Sequence, residues 1–189
     1  MATVVVLAGC SRGGRGAGAP AGGTVGRATT TTGLYDVPEV IDETYVNRVL
    51  AGLEAVEADA FRINMRTNSF PPESEDRMRA IYESDYWFEG AANAAIDQIR
   101  EGFVPARADP GDVVLTVTRL VRTTPECILA VVTQDNSAVV VPGEERLVEY
   151  WVGLVPTDLA KDPFGYNPTG WAYQLKGGPT EEDEQLCSD

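Results

Sequence analysis

The sequence contains no histidine. That absence removes Ser-His-Asp triads, Cys-His dyads, His-ligated metals and imidazole acid–base chemistry. Lysine is scarce as well, since only Lys161 and Lys176 occur. Cysteine is limited to Cys10, Cys127 and Cys187. The last two lie sixty residues apart and have no imidazole to join them, which makes a poor zinc site. The apolar stretch at residues 2–9 is far shorter than the about 20 residues a membrane-spanning helix needs. Acids are missing from residues 1–33, which hold Arg12, Arg15 and Arg27. Over the whole chain 15 Lys+Arg face 29 Asp+Glu, a net charge of −14, so with +3 on residues 1–33 the chain after residue 33 carries −17. A body that acidic repels phosphate backbones, which argues against nucleic acid as a partner. What remains is an ordinary globular composition, 43% hydrophobic and 23% charged over 189 residues. That is enough for one domain and an appendage and does not describe a disordered chain.

The appendage is the N-terminus. Leu7-Ala8-Gly9-Cys10 closes the apolar stretch and resembles a bacterial lipobox, which implies cleavage before Cys10 and a lipid on its thiol. Small residues at Ala8 and Gly9 suit a peptidase, and the thiol is the side chain here that takes a thioether-linked lipid. No basic residue precedes the stretch, so a start upstream of Met1 is expected, because signal peptides begin basic. Two other readings stay open. Thr3–Leu7 reads as a buried strand. Ala8-Gly9-Cys10-Ser11-Arg12-Gly13-Gly14 also resembles the glycine-rich turn of short-chain dehydrogenases. That pattern would place its last glycine on Arg15, and no lysine lies four residues after a tyrosine. Residues 11–33 are nearly all Gly, Ala, Thr, Pro, Ser and Arg. Such a stretch cannot bury enough surface to hold a fold, and reads as a tether spanning about 25 Å.

The body begins with helical periodicity. Ile41, Tyr45, Val49, Leu53, Val56, Ala60 and Ile63 recur every three or four residues. With Asp36-x-x-Glu39 as the cap, this predicts a helix from Asp36 to about Arg66. Gly52 weakens it by about 1 kcal/mol relative to Ala. A second helical region, from Glu73 to Glu101, divides at Ser84-Asp85 into a short and a long helix, and Gly102 ends it. Its apolar face runs through Met78, Ile81, Tyr82, Phe88, Ala92, Ala95, Ile96 and Ile99. After Asp112 the pattern changes to strands: Val113–Val121, Cys127–Thr133, Glu145–Val155 and Trp171–Leu175. Thr123-Thr124-Pro125-Glu126 makes the first turn, and a Pro/Gly/Asn loop precedes the last strand. Helices followed by an antiparallel meander predict an α+β domain with helices on one sheet face.

That order, and the last strand entered through Asn167-Pro168-Thr169-Gly170-Trp171, resembles the NTF2-like (SnoaL-like) superfamily. Small actinobacterial lipoproteins of that type also join lipobox, stalk, helices and four strands. The resemblance covers Val40 to Leu175, and departs in a long Lys161–Pro168 insertion. It implies an NTF2-like cone, with N-terminal helices packed on a curved antiparallel four-stranded sheet. The resulting organisation is a signal segment at 1–10, a stalk at 11–33, the NTF2-like domain at 34–180 and an acidic tail at 181–189. The function this implies is a non-catalytic binding or interaction module, extracytoplasmic and anchored to the cell membrane through Cys10. Its partner would be an envelope protein or a small apolar ligand. The alternatives are a SnoaL-like isomerase or cyclase using a carboxylate in the cone, and a structural subunit of an envelope assembly.

With Cys10 lipidated, Cys127 and Cys187 remain as an even pair, and an exported setting favours a disulfide across the sheet. The alternative is a buried Cys127 and a free Cys187. No catalytic residue, metal or cofactor is assigned. Glu54, Glu57 and Asp59 on the first helix do not share one face and read as solvated, so Glu54→Ala is expected to cost no more than about 0.5 kcal/mol. Asp135-Asn136-Ser137 reads as a hairpin turn, and Glu149 alternates with apolar neighbours and should face water. Glu181-Glu182-Asp183-Glu184 lacks the pattern of a calcium loop. Tyr45, Tyr82, Trp87, Trp151, Trp171 and Tyr173 either fill the core or line a pocket. Across the sheet from the first helix, Val148, Tyr150 or Trp151 and Trp171 or Tyr173 are expected, strand register deciding between neighbours.

Overall fold

The computed structural model describes residues 37–103, 106–144, 147–177 and 186–187. Cys10, the 11–33 stalk, Asp36 and the acidic run at 181–184 lie outside the described residues.

Three helices precede four strands. Helix α1 spans Glu43–Thr67, α2 Pro72–Ile81 and α3 Asp85–Glu101. The first helix therefore starts later than the sequence pattern predicts. Residues 37–42 are not helical, and the cap is Asp42, whose Oδ1 accepts from the Tyr45 N–H at 2.8 Å. Ile41 and Val46, the two positions that staple a helix entry, are both buried. The other boundaries follow their signals. Asn68 closes α1 in the left-handed region at φ 48°, Ser84 caps α3 through its hydroxyl, and Gly102 ends α3 at φ 82°.

Strands β1 Val114–Thr124, β2 Cys127–Asp135, β3 Leu147–Pro156 and β4 Trp171–Gly177 form one antiparallel open sheet in sequence order. The protein is thus α+β, three helices with a four-stranded antiparallel sheet. Past α2, Tyr82 bridges to Tyr173 and the Glu83 N–H donates to the Tyr173 carbonyl at 2.9 Å. The outer edge of β4 is therefore partly covered, and among the described residues β1 is the other edge strand.

The core lies between α1 and the sheet. All seven apolar residues of the predicted α1 stripe are buried. Across from them stand Leu115, Val117, Ile128, Ala130, Val132, Tyr150, Val152, Leu154, Trp171 and Tyr173. Register settles the open pairs: Tyr150 faces inward and Trp151 outward, and Trp171 and Tyr173 both face inward. Val148 does not join them. It is 45% exposed, in line with the exposure of all three residues that open β3.

The sheet is interrupted by bulges, each of which adds one residue to a strand and shifts the side chains that follow. In β1, register breaks between Val117 and Arg119 and again between Leu120 and Arg122. The Val117 N–H is taken by Asn47 Oδ1 from α1 at 2.8 Å. In β4, Gly153 pairs with Leu175 while Leu154 pairs with Tyr173, leaving Gln174 as the extra residue.

Asn167, Thr169 and Trp171 of the turn into β4 are buried and hydrogen-bonded both within the turn and to α1 and α2. Asn167 Nδ2 donates to the carbonyls of Ala80 and Trp171, and its Oδ1 accepts from the Thr169 N–H and hydroxyl. Trp171 Nε1 donates to the Tyr45 hydroxyl at 2.7 Å. A Cβ added at Gly52 would fall 2.5 Å from Thr169 Cγ2, so the glycine that weakens α1 is the place where this turn reaches the helix. On the opposite sheet face Cys127 and Cys187 come to disulfide distance, with Cα atoms 5.5 Å apart.

Candidate functional site

Two stripes run along α1. The apolar one faces the sheet. Glu54, Glu57, Ala58, Phe61 and Asn64, spaced by three, one, three and three, form the other and border a cavity of about 520 Å³. Its opposite wall is α3, contributing Trp87, Gly90, Ala91, Ala94, Ala95 and Gln98. Small side chains on α3 leave the space unfilled, and in that helix only Phe88 and Ala92 are buried. Phe103, Val113, Gln134, Val139 and Val140 close the far end. Phe61 and Phe103 meet edge to face there, 5.5 Å between ring centroids.

The near end carries charge. Glu54 is 3% exposed. Its Oε1 accepts from the Tyr173 hydroxyl at 2.7 Å and from Lys176 Nζ at 2.6 Å. Lys176 also pairs with Glu57 Oε2, and Glu57 Oε1 lies 3.5 Å from the Tyr82 hydroxyl. Among the described residues no protein donor falls on Glu54 Oε2.

The expectation that Glu54 and Glu57 stand on a solvated face is therefore overturned. The reason is the β4 bulge. With simple alternation after Trp171 and Tyr173, Leu175 would point inward and Lys176 outward. The extra residue at Gln174 reverses this, and Lys176 pairs with Val152 on the helix side. A cation thus arrives where two acids of α1 can bury against it. Asp59 does remain outside, paired with Arg62 at 2.9 Å.

Electrostatics follow from burial and pairing. Burial pushes the Glu54 carboxyl above its ordinary value, Lys176 pulls it back, and Glu57 adds to the rise. Burial disfavours the Lys176 ammonium, but Glu57 and Glu54 outweigh it and hold its pKa well above that of ordinary lysine. The Tyr82 and Tyr173 hydroxyls are pushed well up by burial and then by the nearby carboxylates. Tyr150 is raised in the same way, and its hydroxyl has no partner among the described residues. The cluster is thus a cation between two carboxylates, ringed by protonated phenols.

Of the six aromatics considered as pocket lining, Tyr82 and Trp87 border the cavity. Tyr45, Trp171 and Tyr173 lie in the core instead, although Tyr173 reaches the cluster through its hydroxyl. Trp151 sits on the outer sheet face with Arg119 5.6 Å from its ring. Glu149 is exposed. Asp135 accepts from the Ser137 N–H at 2.8 Å, an Asx turn, and that bond lowers its pKa. Sequence reasoning missed Lys176 and Asn64 altogether, and discarded Glu54. The available signal was that one of only two lysines follows an inward Tyr-x-Leu pattern, and period two points it the wrong way. Among the described residues no group of His, Cys, Asp or Glu could hold a metal ion, and no helix is long and apolar enough to cross a membrane.

No protein-family model matches the chain, and no curated protein or solved structure matches it.

Proposed function

We propose that residues 34–180 are an NTF2-like domain that binds a small, largely apolar ligand, held outside the cell membrane by a lipid on Cys10. The observation that carries the binding reading is the cavity of about 520 Å³ between α1 and α3, lined mostly by apolar residues and charged at one end. Its volume lies within the range of small-molecule sites, and a few convergent polar groups on an apolar wall are what such sites use for orientation. The helix-then-meander order and the bulged sheet support the cone. The Leu7-Ala8-Gly9-Cys10 sequence supports the anchor, and the Cys127–Cys187 proximity fits an oxidising compartment.

The SnoaL-like enzyme reading would use Glu54, the buried carboxylate at the cavity end. Against it, protonating Glu54 would remove one of the two carboxylates of α1 that pair with Lys176 of β4. Binding is therefore preferred over proton abstraction.

Native mass spectrometry of the protein from its own host tests the binding reading. A retained small molecule is expected, and Ala95→Trp, which fills the cavity, should remove it. Retention by the filled variant would sink the assignment. The anchor is tested separately by Cys10→Ala in a gene carrying upstream sequence, which should leave the membrane fraction. Reducing the exported protein should lower its stability by about 4 kcal/mol, the loop-entropy value for a closure of this length.

A further inference from the structure

The cavity has a chemical bias along its axis, and it comes from three residues. Among the lining residues only Glu54, Glu57 and Lys176 are charged, so the near end carries a net −1. Lys176 is already shared between both carboxylates. An anionic group placed there would meet two like charges and only one cation. An ammonium would meet the open Glu54 Oε2 and the half-buried Glu57, with Trp87 and Tyr82 also lining the cavity. The far end has an independent demand. Asn64 is 1% exposed, lines the cavity, and its Oδ1 has no partner among the described residues. A buried acceptor left unpaired is costly, and a donor supplied by a ligand would satisfy it. Glu54 and Asn64 are ten residues apart on α1, about 15 Å along the axis at 1.5 Å per residue. Between them the wall is Ala58 and Phe61 on α1, facing Ala91 and Ala95 on α3.

Resting on the binding reading above, we propose that the cavity is a site for a small amphiphilic organic amine. Its ammonium lies at the Glu54–Glu57 end and its apolar body runs along Phe61 and Ala95 toward Asn64. Lys176 is then the counter-charge shared by two carboxylates in the empty site, leaving one formal negative charge for the ligand to neutralise.

Three probes of matched length separate the alternatives: phenylbutylamine, phenylbutanol and phenylbutyrate, titrated calorimetrically into the full chain. The amine should bind at least about tenfold more tightly than the alcohol, the usual margin of a charge-assisted hydrogen bond, and the carboxylate should bind most weakly. Glu57→Gln should abolish the amine's advantage over the alcohol, read as the ratio of the two affinities in the same variant, with continued binding of the alcohol reporting an intact cavity. Equal binding of all three probes would overturn the amine assignment and leave the binding reading standing. Tightest binding of phenylbutyrate would also overturn it, because Lys176 would then govern the site. No binding of any probe, with Ala95→Trp behaving as the parent, would overturn the binding reading as well.

Discussion

The two stripes of α1 are made from the same helix and meet opposite fates. The stripe Tyr45–Val49–Leu53–Val56–Ala60 is pressed against Trp171, Tyr173 and the inner face of β2 and β3, and nothing is left open there. The stripe Glu54–Glu57–Ala58–Phe61–Asn64 looks across a cavity at the alanines of α3. The difference lies in what stands opposite. Large side chains on a bulged sheet seal the first stripe, and small side chains on a peripheral helix leave the second hollow. A sealed interface stores stability in its packing, whereas the hollow one depends on a single ion-paired cluster at its end. Substitutions should therefore be costly all along the first stripe and, along the second, most costly at the cluster.

The largest effect is expected at that cluster. Lys176→Met strands Glu54 as a buried carboxylate without its cation and should cost about 3–5 kcal/mol in urea unfolding. Adding Glu54→Leu should recover much of the loss, because the apolar pair needs no charge. A loss below about 1 kcal/mol for Lys176→Met would make the hollow half indifferent to charge and erase the contrast. The same cluster gives an alkaline signature. Unfolded tyrosine and lysine release protons near pH 10.0 and 10.5, while folded Tyr82, Tyr173 and Lys176 hold theirs to higher pH. In that window the folded chain binds more protons than the unfolded one, so stability falls as pH rises above about 10. Lys176→Met should flatten that fall.

Next in size is the sealed stripe itself. Leu53→Ala should cost about 2–5 kcal/mol through lost burial and the void it leaves. Phe61→Ala, on the hollow stripe, should cost roughly 1–2 kcal/mol, mostly its edge contact with Phe103. Equal unfolding midpoints for these two variants would mean that the cavity side is packed as tightly as the core.

Smaller again is the contact of the Asn167–Trp171 turn with α1. Gly52→Ala gains helix propensity but drives a Cβ into the Thr169 methyl, and should destabilise by about 1–3 kcal/mol. In a Thr169→Ser background the methyl is gone, and the same substitution should stabilise by about 1 kcal/mol. A stabilising Gly52→Ala in the parent would show that the turn yields.

The smallest change belongs to the cavity. Ala95→Leu places methyl groups in open space and should shift stability by no more than about 1 kcal/mol in thermal unfolding. A loss of several kcal/mol there would mean that the space is filled.

Helix identity was legible in the residues, because the 3.6-residue period of Tyr45 to Ile63 is long enough to leave one reading. The strands were legible for the same reason at period two, as were Ser84 and Gly102 as boundaries. The start of α1 was misplaced because Asp36-Val37-Pro38-Glu39 and Ile41-Asp42-Glu43 both carry a helix-start pattern. Burial of Ile41 in the core and the Asp42 cap on the Tyr45 N–H accompany the second. The candidate site was only half legible: Tyr82 and Trp87 stood out as aromatics, while the acids read as surface.

By itself the sequence determined the class of fold, the face α1 buries, and the exclusion of histidine chemistry, because each follows from local period or composition. The position of Lys176 depended on one extra residue in β4, fixed by how Leu154 and Gly153 pair across the sheet. A bulge carries no local signal strong enough to read, yet it reverses every side chain beyond it. Only the tertiary structure could decide that Glu54 is buried, because an acid on a helix is solvated until something of opposite charge is brought to meet it.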